Sequence, residues 1–169
     1  MTAVGQVKRA VAAAIKAAGC AAIESYSEEQ LKRYAAAVAA VGTKETVIEE
    51  SGAAQYLGEK VDEATQETVS VYGRKMLLTL LIEVYAPRTL GAAGCEEAAE
   101  TITQAMMTAL PEGLKLGSLQ WGKTGWDKTT GMFRLDASAK YAAHFVAEAA
   151  EDETVFTDFV LKGTVKERE

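Results

Sequence analysis

Between Met76 and Tyr85 the chain runs Met-Leu-Leu-Thr-Leu-Leu-Ile-Glu-Val-Tyr, and Pro87 follows almost at once. So apolar a run must be buried, as a helix or as a strand crossing a core. Leucine and methionine favour helix, whereas Thr79, Ile82, Val84 and Tyr85 favour strand. Proline cannot donate into a ladder, so Pro87 ends a strand. Val69, Val71 and Tyr72 extend the run backwards, and the spacing predicts one long strand over 69–85.

The flanking segments predict an α+β domain. Val4, Val7, Val11, Ile15 and Ala18 recur at three- and four-residue steps and give an amphipathic helix over 1–18, closed by Gly19. Ser27 with Gln30 has the spacing of a capping box. The Tyr34–Val41 run is ambiguous, because alanine favours helix while a short apolar run before Gly42 suits a buried strand. Thr46, Val47 and Ile48 predict a strand broken by Ser51-Gly52. The polar stretch 55–68 reads as an exposed loop or a long hairpin arm.

After Gly91–Gly94, a stripe of Cys95, Ala98, Ala99, Ile102, Ala105, Met106 and Leu110 predicts a second helix, with Glu96, Glu97 and Glu100 in its first turn and Pro111 and Gly113 at its end. Leu114, Leu116, Leu119 and Trp121 predict a strand. A turn at 127–131 leads into a long strand over 132–146 with a bulge near Ala137-Ser138. A further exposed turn over 148–153 and a last strand over 156–163 complete the sheet, and residues 166–169 read as a frayed tail. The sum is a mainly antiparallel β-sheet with two α-helices packed on it, in one domain spanning 1–169.

Composition narrows the function. The 169 residues are 49% hydrophobic and 25% charged, with only two prolines, which suits one globular core without a Pro-rich linker. A formal charge of −6 argues against an extended phosphate-binding surface, which needs Lys and Arg to displace counterions. Two cysteines, Cys20 and Cys95, are too few for a disulfide framework. Lys8-Arg9 and the Ala-rich run to Cys20 imitate a lipoprotein signal, but Lys16 interrupts the apolar stretch. No run of 18 apolar residues is present, so no membrane span is expected.

Chemistry-bearing clusters are sparse. His144 is the single histidine and falls in an alternating strand pattern, so a hydrolase reading would rest on it alone. One histidine and two distant cysteines lack zinc-ligand spacing, and no metal or other cofactor is expected. Glu96, Glu97 and Glu100 read as a solvated helix face. Gly117 to Thr124 matches the spacing of a phosphate-binding loop, but Gly125-Trp126-Asp127 and a turn follow where that loop needs a helix. Trp121 and Trp126 are candidates for packing, ligand stacking or an interface.

Tyr72-Gly73-Arg74, Ile82 to Arg88, Gly94-Cys95 opening a helix, Trp121 to Asp127, Thr130 to Phe133 and Phe156 to Gly163 follow one another in an order that resembles tail proteins from prophages of Gram-positive-type bacteria, the tail terminator or tail-to-head joining family above all. The resemblance covers roughly 34–165. It implies a non-enzymatic structural subunit that forms a six-fold homo-oligomeric ring, caps the tail tube protein and meets the head connector or completion protein. DNA would only pass through the lumen. Such a protein would act in the bacterial host cytoplasm during virion assembly and then reside in the bacteriophage tail. A ring needs two different patches per subunit. The candidates are arm residues Gln55, Tyr56, Leu57, Glu59 and Lys60, with Arg74, Arg88 and Trp126. A head-completion or connector-stopper protein and a small-ligand-binding α+β domain are the alternatives.

Overall fold

The computed structural model describes residues 3–50, 55–150, 153–156 and 162–163, with side chains over 4–50 and 55–144. The expected tail at 166–169 and residues 157–161 lie outside the described residues; the ends of the last strand expected over 156–163 belong to two separate strands, Glu153–Phe156 and Lys162–Gly163, paired antiparallel with each other, so no single strand runs through that stretch. Among those described, a single sheet carries three helices, and the α+β expectation holds.

Two strands of 19 residues each, β4 (Thr68–Ala86) and β7 (Met132–Ala150), pair antiparallel from Ser70↔Ala149 to Ala86↔Phe133 without a register break. They form the spine. Along the free side of β4 lie β2 (Val38–Glu49) beside its C-terminal half and β3 (Tyr56–Val61) beside its N-terminal end. Along the free side of β7 lie β6 (Gly125–Asp127), β5 (Lys115–Trp121) and β8 (Glu153–Phe156). Beyond these, β1 (Ala21–Ile23) pairs parallel with β2, and β9 (Lys162–Gly163) pairs with β8.

Pairing partners share a face of a sheet, so the register sorts the side chains. Met76, Leu78, Leu80, Ile82 and Val84 of β4 face the same way as Leu135, Ala137, Ala139 and Tyr141 of β7, and all are buried. On this face lie α1 (Ala3–Ala17), over β1 and β2, and α3 (Gly91–Thr108), over β4, β7 and β5. Val11 and Ile15 of α1 and Cys95, Ile102 and Met106 of α3 complete the core. The Tyr141 hydroxyl donates to Met106 Sδ at 2.9 Å. A smaller cluster on the opposite face joins Ile23, Leu31, Val38, Ala40, Tyr85 and Met132, closed by the one-turn helix α2 (Glu28–Leu31).

The helix ends follow local chemistry. Gly19, at φ +92°, lets Cys20 N–H reach Ile15 C=O and its own N–H reach Lys16 C=O, a Schellman arrangement that stops α1. Ser27 caps α2 by accepting from Gln30 N–H.

Several expectations need correction. Helix α3 starts at Gly91, so Glu96, Glu97 and Glu100 lie in its second and third turns. No bulge interrupts 137–138, since Ala137 and Ala139 continue the inward alternation and are small because α3 packs over them. The register shift lies in β5, between Leu116 and Ser118. Strand β7 continues through Glu148 to Ala150 and β8 opens at Glu153, so these residues of the expected turn are strand, while 151–152 lie outside the described residues. Tyr34–Val41 resolves as a loop leading into β2, whose first four residues are fully buried. The 55–68 stretch is an arm in the hairpin sense, β3 joined to β4 through a turn over 62–67.

Candidate functional site

Dimensions decide which parts of the sheet are covered. At about 3.3 Å per residue a 19-residue strand spans about 60 Å, whereas an 18-residue helix at 1.5 Å per residue spans about 27 Å. Gly94 sits against Ala86 and Met106 against Tyr141, so α3 starts where β4 ends and stops near the middle of the spine. The half of the ribbon nearest Thr68 therefore extends past α3. We call this the distal end and the Ala86 end proximal.

Most of the sequence-predicted arm residues gather distally. Tyr56, Glu59 and Lys60 are exposed on β3, while Gln55 and Leu57 are half-buried. Tyr56 stacks edge-on against Tyr72, with ring centroids 5.7 Å apart. Val61 is 57% exposed; Val47 and Ile48 of β2, each 39% exposed, lie nearer the middle of the spine, opposite Leu77 and Met76. Arg74 is exposed on the same segment of β4. Asp62, Glu63 and Glu67 occupy the β3–β4 turn, and the register carries Glu148 and Glu153 to the same end.

Arg88 and Trp126 do not join that group. They lie at the proximal end, about 40 Å along the spine from Arg74, and with Phe133 they line a recess of about 350 Å³. Trp126 is 44% exposed and meets Phe133 edge-on at 5.1 Å.

Beside this recess is a polar cluster that sequence reasoning did not assemble. Arg134 on β7 donates to both carboxylate oxygens of Asp136 at 2.7 and 2.8 Å and to Glu83 of β4 at 2.7 Å. Its guanidinium lies 5.8 Å from the centre of the Tyr85 ring. Asp136 reinforces the Arg134 charge despite partial burial and holds its pKa above the ordinary value. Desolvation, then the nearby Glu83 carboxylate, push the Tyr85 hydroxyl upwards. Two carboxylates saturate the one guanidinium, so the cluster locks β4 to β7 rather than presenting a free cation. Glu83, Tyr85, Arg134 and Asp136 alternate with inward apolar residues, and the signal for their meeting was the register set by Pro87 and the turn before Met132.

In the adjoining turn the Asp127 carboxylate accepts from the Thr130 hydroxyl at 2.7 Å and from Thr129 N–H at 3.1 Å, which depresses its pKa, the Thr130 bond most of all. Gly131, at φ +67°, completes the reversal. The Gly122-Lys123-Thr124 triplet lies in the short loop between β5 and β6, with a strand after it. His144 is exposed on β7 opposite Lys75. Among the described residues no three His, Cys, Asp or Glu side chains converge as metal ligands, and no helix is long and apolar enough to cross a membrane.

A third surface lies on the β5 edge. Ala99, Thr103, Gln104 and Met107 of α3 and Trp121 of β5 line an open apolar groove of about 430 Å³. The Trp121 indole N–H donates to Thr103 Oγ1 at 2.9 Å, which satisfies its one polar atom and turns the ring's apolar area to the groove wall. Met107 is 76% exposed. Helical spacing predicted Met106 as core but gave no sign that Met107 would stand open beside Trp121.

The architecture is thus an α+β domain in which, among the described residues, helices cover one half of the spine and no helix lies over the other. No protein-family model matches the chain, and a search of curated proteins finds no match.

Proposed function

We propose that the chain is a structural ring subunit of a bacteriophage or prophage tail, the terminator that caps the tail tube and meets the head connector. The observation that carries this reading is the bare distal ribbon. A few strands without a covering layer are marginal alone in water, and large apolar side chains left open on such strands mark a surface that an assembly covers. Tyr56 and Val61 are such side chains. Asp62, Glu63 and Glu67 of the β3–β4 turn support the same reading, since a negative surface repels phosphate and lets DNA pass without sticking. The sequence likeness to tail terminators, in the order of short phrases from Tyr72 to Gly163, is the third support. The chain's role is then mechanical: self-association into a closed ring, contact with the tube on one side and with the connector on the other, and no bond chemistry.

The test is excision of the arm, with 55–67 replaced by a tight turn. The excised subunit should keep the helix-covered core, seen as an unchanged helical circular-dichroism signal, but fail to form rings in negative stain and fail to join heads to tails in an assembly extract. Normal joining by the excised protein would overturn the reading.

A further inference from the structure

Charge is segregated between the two long helices. Helix α1 carries Lys8, Arg9 and Lys16 and no acidic residue, whereas α3 carries Glu96, Glu97 and Glu100 and no basic one. Helix dipoles account for Lys16, in the last turn of α1, and for none of the other five. Lys8 and Arg9 lie in the middle of α1, and the three glutamates lie beyond the first turn of α3. The helices pack beside one another, yet among the described residues no ion pair joins them.

The two charges face opposite edges of the sheet. Arg9 reaches Glu24, just past β1, at 3.5 Å, which places the basic face over the β1 edge. Thr103 holds Trp121, which places the groove of α3 over the β5 edge, with the exposed Glu100 on its rim.

We propose that these two edges are the two halves of one heterologous joint, and that the occupant of the Met107–Trp121 groove is the α1 edge of a second copy of this chain. A second copy displaced sideways brings its Lys8, Arg9 and Lys16 against Glu96, Glu97 and Glu100 of the first, and each copy leaves one unused edge for the next. Repetition with rotation closes a ring. The groove supplies apolar area at the centre of the contact, and the charges supply steering and register. The inference rests on the ring reading above and adds to its arm contact a second, lateral joint between the helix-covered halves.

The experiment uses the full chain and two charge reversals. One variant carries Glu96→Lys, Glu97→Lys and Glu100→Lys, so both edges are basic; the other carries Lys8→Glu, Arg9→Glu and Lys16→Glu, so both are acidic. Sedimentation velocity at low salt should show self-association of the wild type, weakened about a hundredfold in each variant by juxtaposed like charge. An equal mixture of the two should recover association, because every joint in an alternating ring is then complementary. Met107→Asp should weaken association in a way that no charge reversal restores.

Reversal variants that associate as the wild type does would overturn this joint and leave the ring reading standing. A wild type that stays monomeric to its solubility limit while still joining heads to tails would do the same. Association that tracks the charges but stops at open chains, with no activity in joining, would support the joint and overturn the terminator reading. Association indifferent to Met107→Asp, with anilinonaphthalene sulfonate binding lost in that variant, would assign the groove to a small apolar ligand instead.

Discussion

Cys95 shows how position decides what a side chain can do. It is fully buried in α3, with the carbonyls of Val84 and Phe133 at 3.7 and 3.4 Å from its sulfur. Desolvation of the thiolate pushes its pKa up to about 11. Both cysteines are free, and this one serves as a small apolar residue beneath the sheet. An unfolded chain loses the same proton near about 8.5. Between those values the unfolded state binds fewer protons, so stability that is complete at neutral pH falls as pH rises through about 8.5 to 11. Burial raises the Tyr141 hydroxyl in the same sense, and burial with a carboxylate neighbour raises Tyr85, so both add to the fall on the alkaline side. Cys95→Ala should melt below the wild type at neutral pH because of the volume lost, and the gap should narrow as pH is raised. A gap in melting temperature that stays constant from neutral pH to about 11 would show that the thiol does not titrate in this way.

At the scale of the element, backbone proximity overrides propensity at the start of α3. A Cβ on Gly94 would lie 2.7 Å from Leu90 Cβ and 3.2 Å from Ala86 Cβ, so this turn of the helix rests directly on the end of β4. Alanine at a helical position is favoured over glycine by about 1 kcal/mol. Overpacking at a rigid contact costs about 1–3 kcal/mol, and here the obstructing atoms are the stiff roots of side chains. Stiff neighbours put the cost in the upper part of that range, so Gly94→Ala should on balance lose about 1–2 kcal/mol of stability in urea titration; a variant as stable as the wild type would show that α3 rides freely on the sheet. The same closeness explains what the sequence concealed. Ala137 and Ala139 look like a lapse in the alternation of β7 but are its inward residues, kept small beneath a helix. The first residues of β2 defeat periodicity for a related reason. Ala39 and Val41 join the helix-side core while Val38 and Ala40 join the opposite cluster, so both faces are buried and the segment reads as one apolar run. Strand β1, three residues long, offers no period to detect. The long strand at 68–86 was legible because Pro87 ends it and β-branched residues mark it. The separation of Arg74 from Arg88 follows from that strand, whereas the meeting of Arg88 with Trp126 requires its pairing with β7.

At the scale of the whole molecule, one continuous strand has two environments. Residues 76–86 of β4 lie in the helix-covered core, with Met76, Leu78, Leu80, Ile82 and Val84 almost inaccessible to water. Thr68 to Lys75 belong to the distal ribbon, where only Gly73 is buried. Ladder hydrogen bonds run through both halves, so the backbone geometry alone predicts uniform protection. Local opening depends instead on how much apolar contact must be broken to release a segment, and it spans from nearly zero up to the global unfolding free energy. Amide exchange in the isolated chain should therefore follow a gradient along β4, with residues 76–86 exchanging only through global unfolding and residues 68–75 exchanging much faster. Uniform protection along the strand would show that the ribbon is stable by itself and has no need of a partner. In the ring proposed above, the distal amides should slow while the proximal ones, already limited by global unfolding, change far less, because the arm contact adds a covering layer only where the helices leave one out.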